Sequence, residues 1–406
     1  MVLGSVLASV ARRAPRGAAG APRILQAPIC TSGVRTAPAK PSIQSIGELR
    51  RAVPGTSMIK AREALLATRA PDAPDTDRVA QAIEWLNRDR EEEGARRAAK
   101  VAGRRTAEGI VAISTLGDGL PPGAHATEAR AGIIELNCET DFVARNELFG
   151  ALARSIAHTV AWYPMFAQDD GSGLPVRDVD VEGLLDCPLV PYDAPAAGAG
   201  ADAPVLTVRA AIVDVVSRLG EKVSLARAAT LYPTRDTAHI SSFGAFAHGM
   251  GASLPQAAGG GSRAGFVSGK VGSLVLARLG GDLLQVGAED EALLRVTRAL
   301  LRSLARQAAG FRTTSLDKSE DAESDVSTAL LEQPFAMALP SAGVSEDAAE
   351  RPVSEVLRAW GSEHAHAADC VRVAALRRWE VGETAAPAED AAASFADEVK
   401  KAAGVQ

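Results

Sequence analysis

Three stretches of the chain carry residue types that could do chemistry. Gly265-Phe266-Val267-Ser268-Gly269-Lys270 combines the glycines and lysine that cradle phosphates. A phosphate loop needs four residues between its glycines and a Ser or Thr after the lysine to hold Mg²⁺. Here three residues intervene and Val271 follows, so nucleotide binding by this chain is not expected. His364-Ala365-His366 with Cys370 offers metal-ligand types, but no second cluster completes four-coordination and a polar loop is the better reading. No Gly-x-Ser-x-Gly elbow is present, and the other histidines lack a recognisable nucleophile partner. No catalytic residue, metal or cofactor is therefore expected. An enzyme would need a pocket with converging titratable groups, which the sequence does not announce. The third stretch, Thr140-Asp141-Phe142, sets an acid beside an aromatic, a pairing suited to contact rather than covalent chemistry.

The elements around that stretch are legible. Ala131 to Leu136 is β-branched and alternating, which predicts a strand. Asn146 is a candidate N-cap and Glu147 suits the positive end of the helix that follows to about Ala161. Thr140-Asp141-Phe142 thus falls on a strand-to-helix connection, where side chains project from a rigid frame. By residue type alone, an aromatic there is more often buried than exposed.

A chain of 406 residues with 47% hydrophobic content can bury a sizeable core, and its length suggests two or three domains. Aromatics are only 4%, so packing leans on Leu, Val and Ala. Cys30, Cys138, Cys187 and Cys370 lack paired spacing and read as reduced thiols. Residues 1–40 carry Arg12, Arg13, Arg16, Arg23, Arg35 and Lys40 without a single acid, the composition of an organellar transit peptide. Losing those six cations would take the formal charge from −6 to about −12, a surface that phosphates repel, so a protein partner is expected and direct nucleic-acid binding is not. No segment approaches the roughly 20 apolar residues of a membrane span.

Taken in order, residues 41–90 predict a three-helix module, with Ser45 and Ser57 as cap candidates, a break at Pro54-Gly55, and apolar stripes at Met58, Ala61, Leu65 and at Val79, Ala82, Ile83, Leu86. Residues 91–108 form a charged linker. From Gly109 the period changes to strands followed by helices, which predicts an α+β core with antiparallel sheets. The core is divided into a first subdomain, 109–219, with a Pro/Gly/Ala/Asp-rich insertion at 169–204, and a second, 220–406, with a Gly-rich insertion at 250–264; both insertions are expected to be mobile.

Asn137-Cys138-Glu139-Thr140-Asp141-Phe142-Val143-Ala144-Arg145-Asn146 closely resembles the signature of elongation factor Ts, the guanine-nucleotide exchange factor for elongation factor Tu. Arg51, Gly55, Met58, Ala64-Leu65 and Ala82-Ile83-Glu84-Trp85-Leu86 resemble the ubiquitin-associated-like domain that opens this family. The family usually has Thr-Gly at Pro54-Gly55 and a Lys pair at Arg62-Glu63, so this contact surface departs from its pattern. Gly220-Glu221-Lys222, His248-Gly249, Leu330 to Phe335 and Trp379-Glu380-Val381-Gly382 also match, and Glu93 to Gly109 is similar to the linker of mitochondrial members. The resemblance implies a translation elongation factor of the mitochondrial matrix that binds mitochondrial elongation factor Tu and promotes GDP release. It implies that Thr140, Asp141, Phe142 and Val143 intrude beside the partner's Mg²⁺ site, that the module touches the partner's nucleotide domain through Arg51, Gly55 and Met58, and that His248 is a possible contact. The alternative reading is a protein-binding scaffold that uses the helical module, and only exchange predicts faster GDP release.

Overall fold

The computed structural model describes residues 39–53, 55–73, 75–120, 128–165, 172–192, 206–232, 239–249, 265–286, 290–317 and 328–384. All but the end of the 1–40 leader, and the 250–264 insertion, lie outside the described residues. The chain forms two compact units, Met1–Trp85 and Leu86–Gln406.

In the first unit, α1 (Ile43–Ala52) starts where the Ser42 hydroxyl accepts the Ser45 N–H, and α2 (Met58–Ala67) where that of Ser57 accepts the Lys60 N–H. Gly55 takes the left-handed conformation between them, at φ +81°, which glycine adopts without steric cost. Ile46, Leu49, Val53, Ala61, Ala64 and Leu65 are buried, whereas Met58, grouped by spacing with Ala61 and Leu65, is 53% exposed. A third helix, α3 (Val79–Val101), begins in this unit and ends in the second. The first eleven residues of the 91–108 linker are therefore helical. They are also docked: the Arg97 guanidinium donates to the Ser217 carbonyl (2.7 Å), and Gly94 lies against Val213.

The second unit holds two antiparallel sheets. The larger runs β3 (Val176–Val179), β4 (Val223–Leu231), β2 (Arg130–Cys138), β1 (Glu108–Gly117), β6 (Gly265–Gly269); the smaller runs β5 (Ile240–His248), β7 (Val271–Leu279), β8 (Val371–Glu380). Successive side chains of a strand point to opposite faces, and here both faces are covered. Ile110, Ala112, Ile134 and Leu136 pack with α5 (Glu147–Trp162) and α7 (Val208–Leu219). Their neighbours Val111, Ile113 and Ile133 pack with Leu274, Leu276, Phe243 and Trp379 of the smaller sheet. Val275, Ala277 and Leu279 then face α8 (Glu291–Gly310) and α9 (Val353–His364). The result is a helix, sheet, sheet, helix stack, and Ile133-Ile134 is apolar on both sides because both sides are core. Gly132 lets α5 approach, since a Cβ there would run into the Ala157 carbonyl and Ala161 amide.

The division at 219/220 does not separate the sheets, because β4 and β6 from the later half both join the larger one. Nor is 169–204 wholly an insertion: β3 pairs with β4, and Val176, Val179 and Leu184 of α6 (Val181–Leu185) are buried. Those three apolar residues anchor a stretch whose average composition suggests a loop. Its remainder, 169–171 and 193–204, lies outside the described residues.

Candidate partner-binding site

Strand β2 ends at Cys138, paired with Val223 at the start of β4. Cys138 is fully buried and its thiol donates to the Thr140 carbonyl (3.1 Å); burial, and next the charge of Glu221, push its pKa up to about 12, so it stays protonated. The chain then makes a single helical turn, α4 (Asp141–Ala144), with Thr140 as N-cap accepting the Val143 N–H. Asn146 caps α5 immediately afterwards, its side-chain carbonyl accepting the Leu148 N–H (2.9 Å).

Successive residues of a helix diverge by about 100°, so one turn cannot bury every side chain. Val143 (8% exposed) and Ala144 (2%) face the core, and Phe142 points away at 82% exposure. Asp141 is partly exposed and pairs with Arg145 one turn on, at 3.3 Å. The four residues assigned to one contact surface therefore divide. Phe142 and Asp141 are presented, Thr140 holds the turn, and Val143 turns its side chain into the core.

The other sequence candidates lie elsewhere. In the first unit, Arg51 is exposed in the last turn of α1, Gly55 in the following turn, and Met58 at the start of α2. His248 is exposed at the end of β5, level with Val271. Gly265 to Lys270 is strand β6 and the bend into β7. Its glycines serve close packing: a Cβ at Gly269 would meet the His248 backbone, and Lys270 pairs with Glu108. His364 contacts the Gly343 carbonyl (2.8 Å), His366 the Asp282 carboxylate (3.0 Å), and burial raises the Cys370 pKa to about 11. Among the described residues no three His, Cys, Asp or Glu side chains gather in a metal-binding arrangement, and no helix is long and apolar enough to cross a membrane.

Several residues that shape the site were not among the sequence candidates, although Glu139 and Glu221 lie in segments that resemble the family. Glu221 takes both donors of Thr140, the hydroxyl at 2.8 Å and the N–H at 3.1 Å. Glu139 accepts the Lys222 N–H at 2.6 Å and faces Arg104 at 3.4 Å. Glu135, fully buried in β2, pairs with Arg227 (2.6 Å) and accepts the Gly382 N–H (2.8 Å), tying the turn after β8 to the larger sheet. An acid in an apolar strand is the available hint for Glu135, since such a group needs a partner.

Fold and site thus define a two-sheet α+β protein that displays an aromatic from a braced turn. No family model matches the chain. It is 51% identical over 393 residues to the mitochondrial elongation factor Ts of Malassezia globosa, covering 90% of this chain and 94% of that protein. Against the protein of the same name from Mycosarcoma maydis the identity is 45% over 421 aligned positions, with 94% of each covered. Against that of Coprinopsis cinerea it is 36% over 364, covering 87% of this chain and 95% of that protein. The chain belongs to the mitochondrial elongation factor Ts family, and it is accordingly a mitochondrial translation elongation factor.

Proposed function

We propose that this protein is a guanine-nucleotide exchange factor that binds mitochondrial elongation factor Tu and speeds GDP release, without covalent chemistry of its own. The observation that carries the reading is Phe142, 82% exposed beside Asp141 on a turn whose neighbours are core. Exposing a phenyl ring forgoes about 1.5–3 kcal/mol of burial, and docking into a partner recovers it. A guanine nucleotide is held largely through the Mg²⁺ that bridges its phosphates. Phe142 wedges between packed side chains beside that site, while Asp141 exchanges its Arg145 contact for the partner's polar network. By linkage, a protein that weakens GDP binding is itself bound more weakly when GDP is present.

The three-helix module, of ubiquitin-associated type, supplies affinity through Arg51, Gly55 and Met58, and His248 adds a contact from the end of β5 in the smaller sheet. The leader is removed on import into the matrix. The test is stopped-flow release of labelled GDP from purified mitochondrial elongation factor Tu. Release accelerates with added protein and saturates if the reading is right. A complex that forms without faster release makes the protein a scaffold.

A further inference from the structure

We propose that Glu221 is a positioning residue for this site: by taking both protons of Thr140 it fixes the turn that presents Asp141 and Phe142. The proposal rests on the exchange reading and extends it to a residue just before β4, 81 positions along the chain.

A four-residue helix has no stability of its own, because the first turn fixes several dihedrals for one hydrogen bond. What holds α4 must come from outside it. Its cap is weak alone, with 3.4 Å between the Val143 nitrogen and the Thr140 hydroxyl oxygen, beyond the usual range for such a bond. The Glu221 carboxylate braces Thr140 from outside the turn. One oxygen takes the Thr140 hydroxyl proton at 2.8 Å and the other the Thr140 N–H at 3.1 Å. With its proton committed to Glu221, the hydroxyl turns a lone pair toward Val143. The same two bonds fix the Thr140 side-chain rotamer and the entry angle of the chain into α4. Charge-assisted bonds of this kind are roughly twice as strong as neutral ones.

Glu221 is well placed for this task because it precedes β4, whose Val223 lies opposite Cys138 at the end of β2. The frame is reciprocal. Glu139, one residue before Thr140, accepts the Lys222 N–H at 2.6 Å, so each strand end offers a carboxylate to the other's backbone. The two roles differ: Glu139 holds the start of β4, and Glu221 holds the turn. On the other side the Cys138 thiol donates to the Thr140 carbonyl, so Thr140 is fixed at its amide, hydroxyl and carbonyl while Phe142 points into solvent. A wedge acts only when presented rigidly, since each kcal/mol spent ordering it on the partner is lost from the displacement it drives.

The experiment uses the full chain with mitochondrial elongation factor Tu carrying labelled GDP, and compares wild type, Glu221→Ala, Glu221→Gln, Phe142→Ala and the Glu221→Ala/Phe142→Ala double variant. Saturating release rate, half-saturating concentration, melting temperature and amide hydrogen exchange are measured for each. Glu221→Ala should lower the saturating rate about tenfold with little change in half-saturation. Amides of Thr140 to Val143 should exchange faster while those of β2 and β4 stay protected. Glu221→Gln, which keeps a carbonyl acceptor for the Thr140 N–H, should recover part of the rate. The double variant should be no slower than the slower single one, because both changes act on one element. An unchanged saturating rate in Glu221→Ala, where Phe142→Ala is slow, overturns the proposal. So does a loss of rate matched by lost melting temperature and lost protection of β2 and β4, which would make Glu221 a general stabiliser. If wild type fails to accelerate release, the exchange reading falls instead, and the amide exchange of Thr140 to Val143 still decides whether Glu221 holds the turn.

Discussion

Large apolar side chains reach solvent at several places among the described residues, Met165, Leu174 and Leu206 included, and two of these places, one in each unit, are built differently. In the first unit Ile43, Met58 and Ile59 are 86%, 53% and 81% exposed on helices that share a small core of their own. In the second, Phe142 stands alone on one helical turn, gripped by Val143 and Ala144 in the core and by Thr140 on Glu221. The first arrangement has several exposed contributors, which suits adhesion. The second is a single projecting ring on a fixed mount, suited to displacing something. On the function proposed above the contrast separates affinity from action, and it can be pressed from both sides.

The largest effect should come from the mount. Phe149, seven residues after Phe142 and fully buried, should cost about 3–5 kcal/mol when changed to Ala, seen as a fall in melting temperature. Deleting the first unit, so that the chain starts at Leu86, should leave the second unit folded and weaken the complex with mitochondrial elongation factor Tu about thirtyfold (~2 kcal/mol). Titration of the labelled partner measures this, and unchanged affinity would show that the first unit does not adhere. Phe142→Ala should shift stability by less than about 0.5 kcal/mol and slow saturating GDP release about tenfold (~1.4 kcal/mol), with Asp141→Ala acting in the same direction. A melting temperature lowered as far as in Phe149→Ala would erase the contrast. Ile59→Ala should weaken binding only a few-fold and leave the saturating rate alone, since an arrangement with several contributors loses little with one.

The smallest effect concerns the helix behind the mount. On α5, His158 accepts the Trp162 indole N–H (3.2 Å) and contacts the Ser114 hydroxyl (3.3 Å), and burial lowers its pKa below the ordinary 6.5. The folded protein then binds fewer protons than the unfolded chain, so stability falls as pH drops from about 6.5 toward that lowered pKa, and is steady above. Denaturant midpoints across pH 5 to 7 should show this slope in wild type and a flatter one in His158→Gln.

The strand from Ala131, the Asn146 cap and the helix after it were open to reading because they are set by local pattern: alternation, cap chemistry, acid at a helix start. The family was legible for a related reason, since Asn137 to Asn146 carries its signature as contiguous residues. Phe142 was ambiguous because aromatic character argues for burial, and only the direction of one helical turn over a particular core puts Phe142 outside and Val143 inside. The 169–204 stretch misled because composition averages over residues, whereas three of them, Val176, Val179 and Leu184, suffice to pin it to β4 and the core.

What the sequence determined alone was the kind of several elements, the strand from Ala131 and the helix after Asn146 among them, together with the α+β class and the family, while it left α9 unread and gave the second half of α3 as a linker. Tertiary structure decided which strands share a sheet, sending β4 and β6 of the later half into the larger one, and it brought Glu221 to Thr140 and Arg227 to Glu135. Those pairings join positions 81 and 92 apart. No local periodicity encodes them, because they come from how two sheets bury four apolar faces at once.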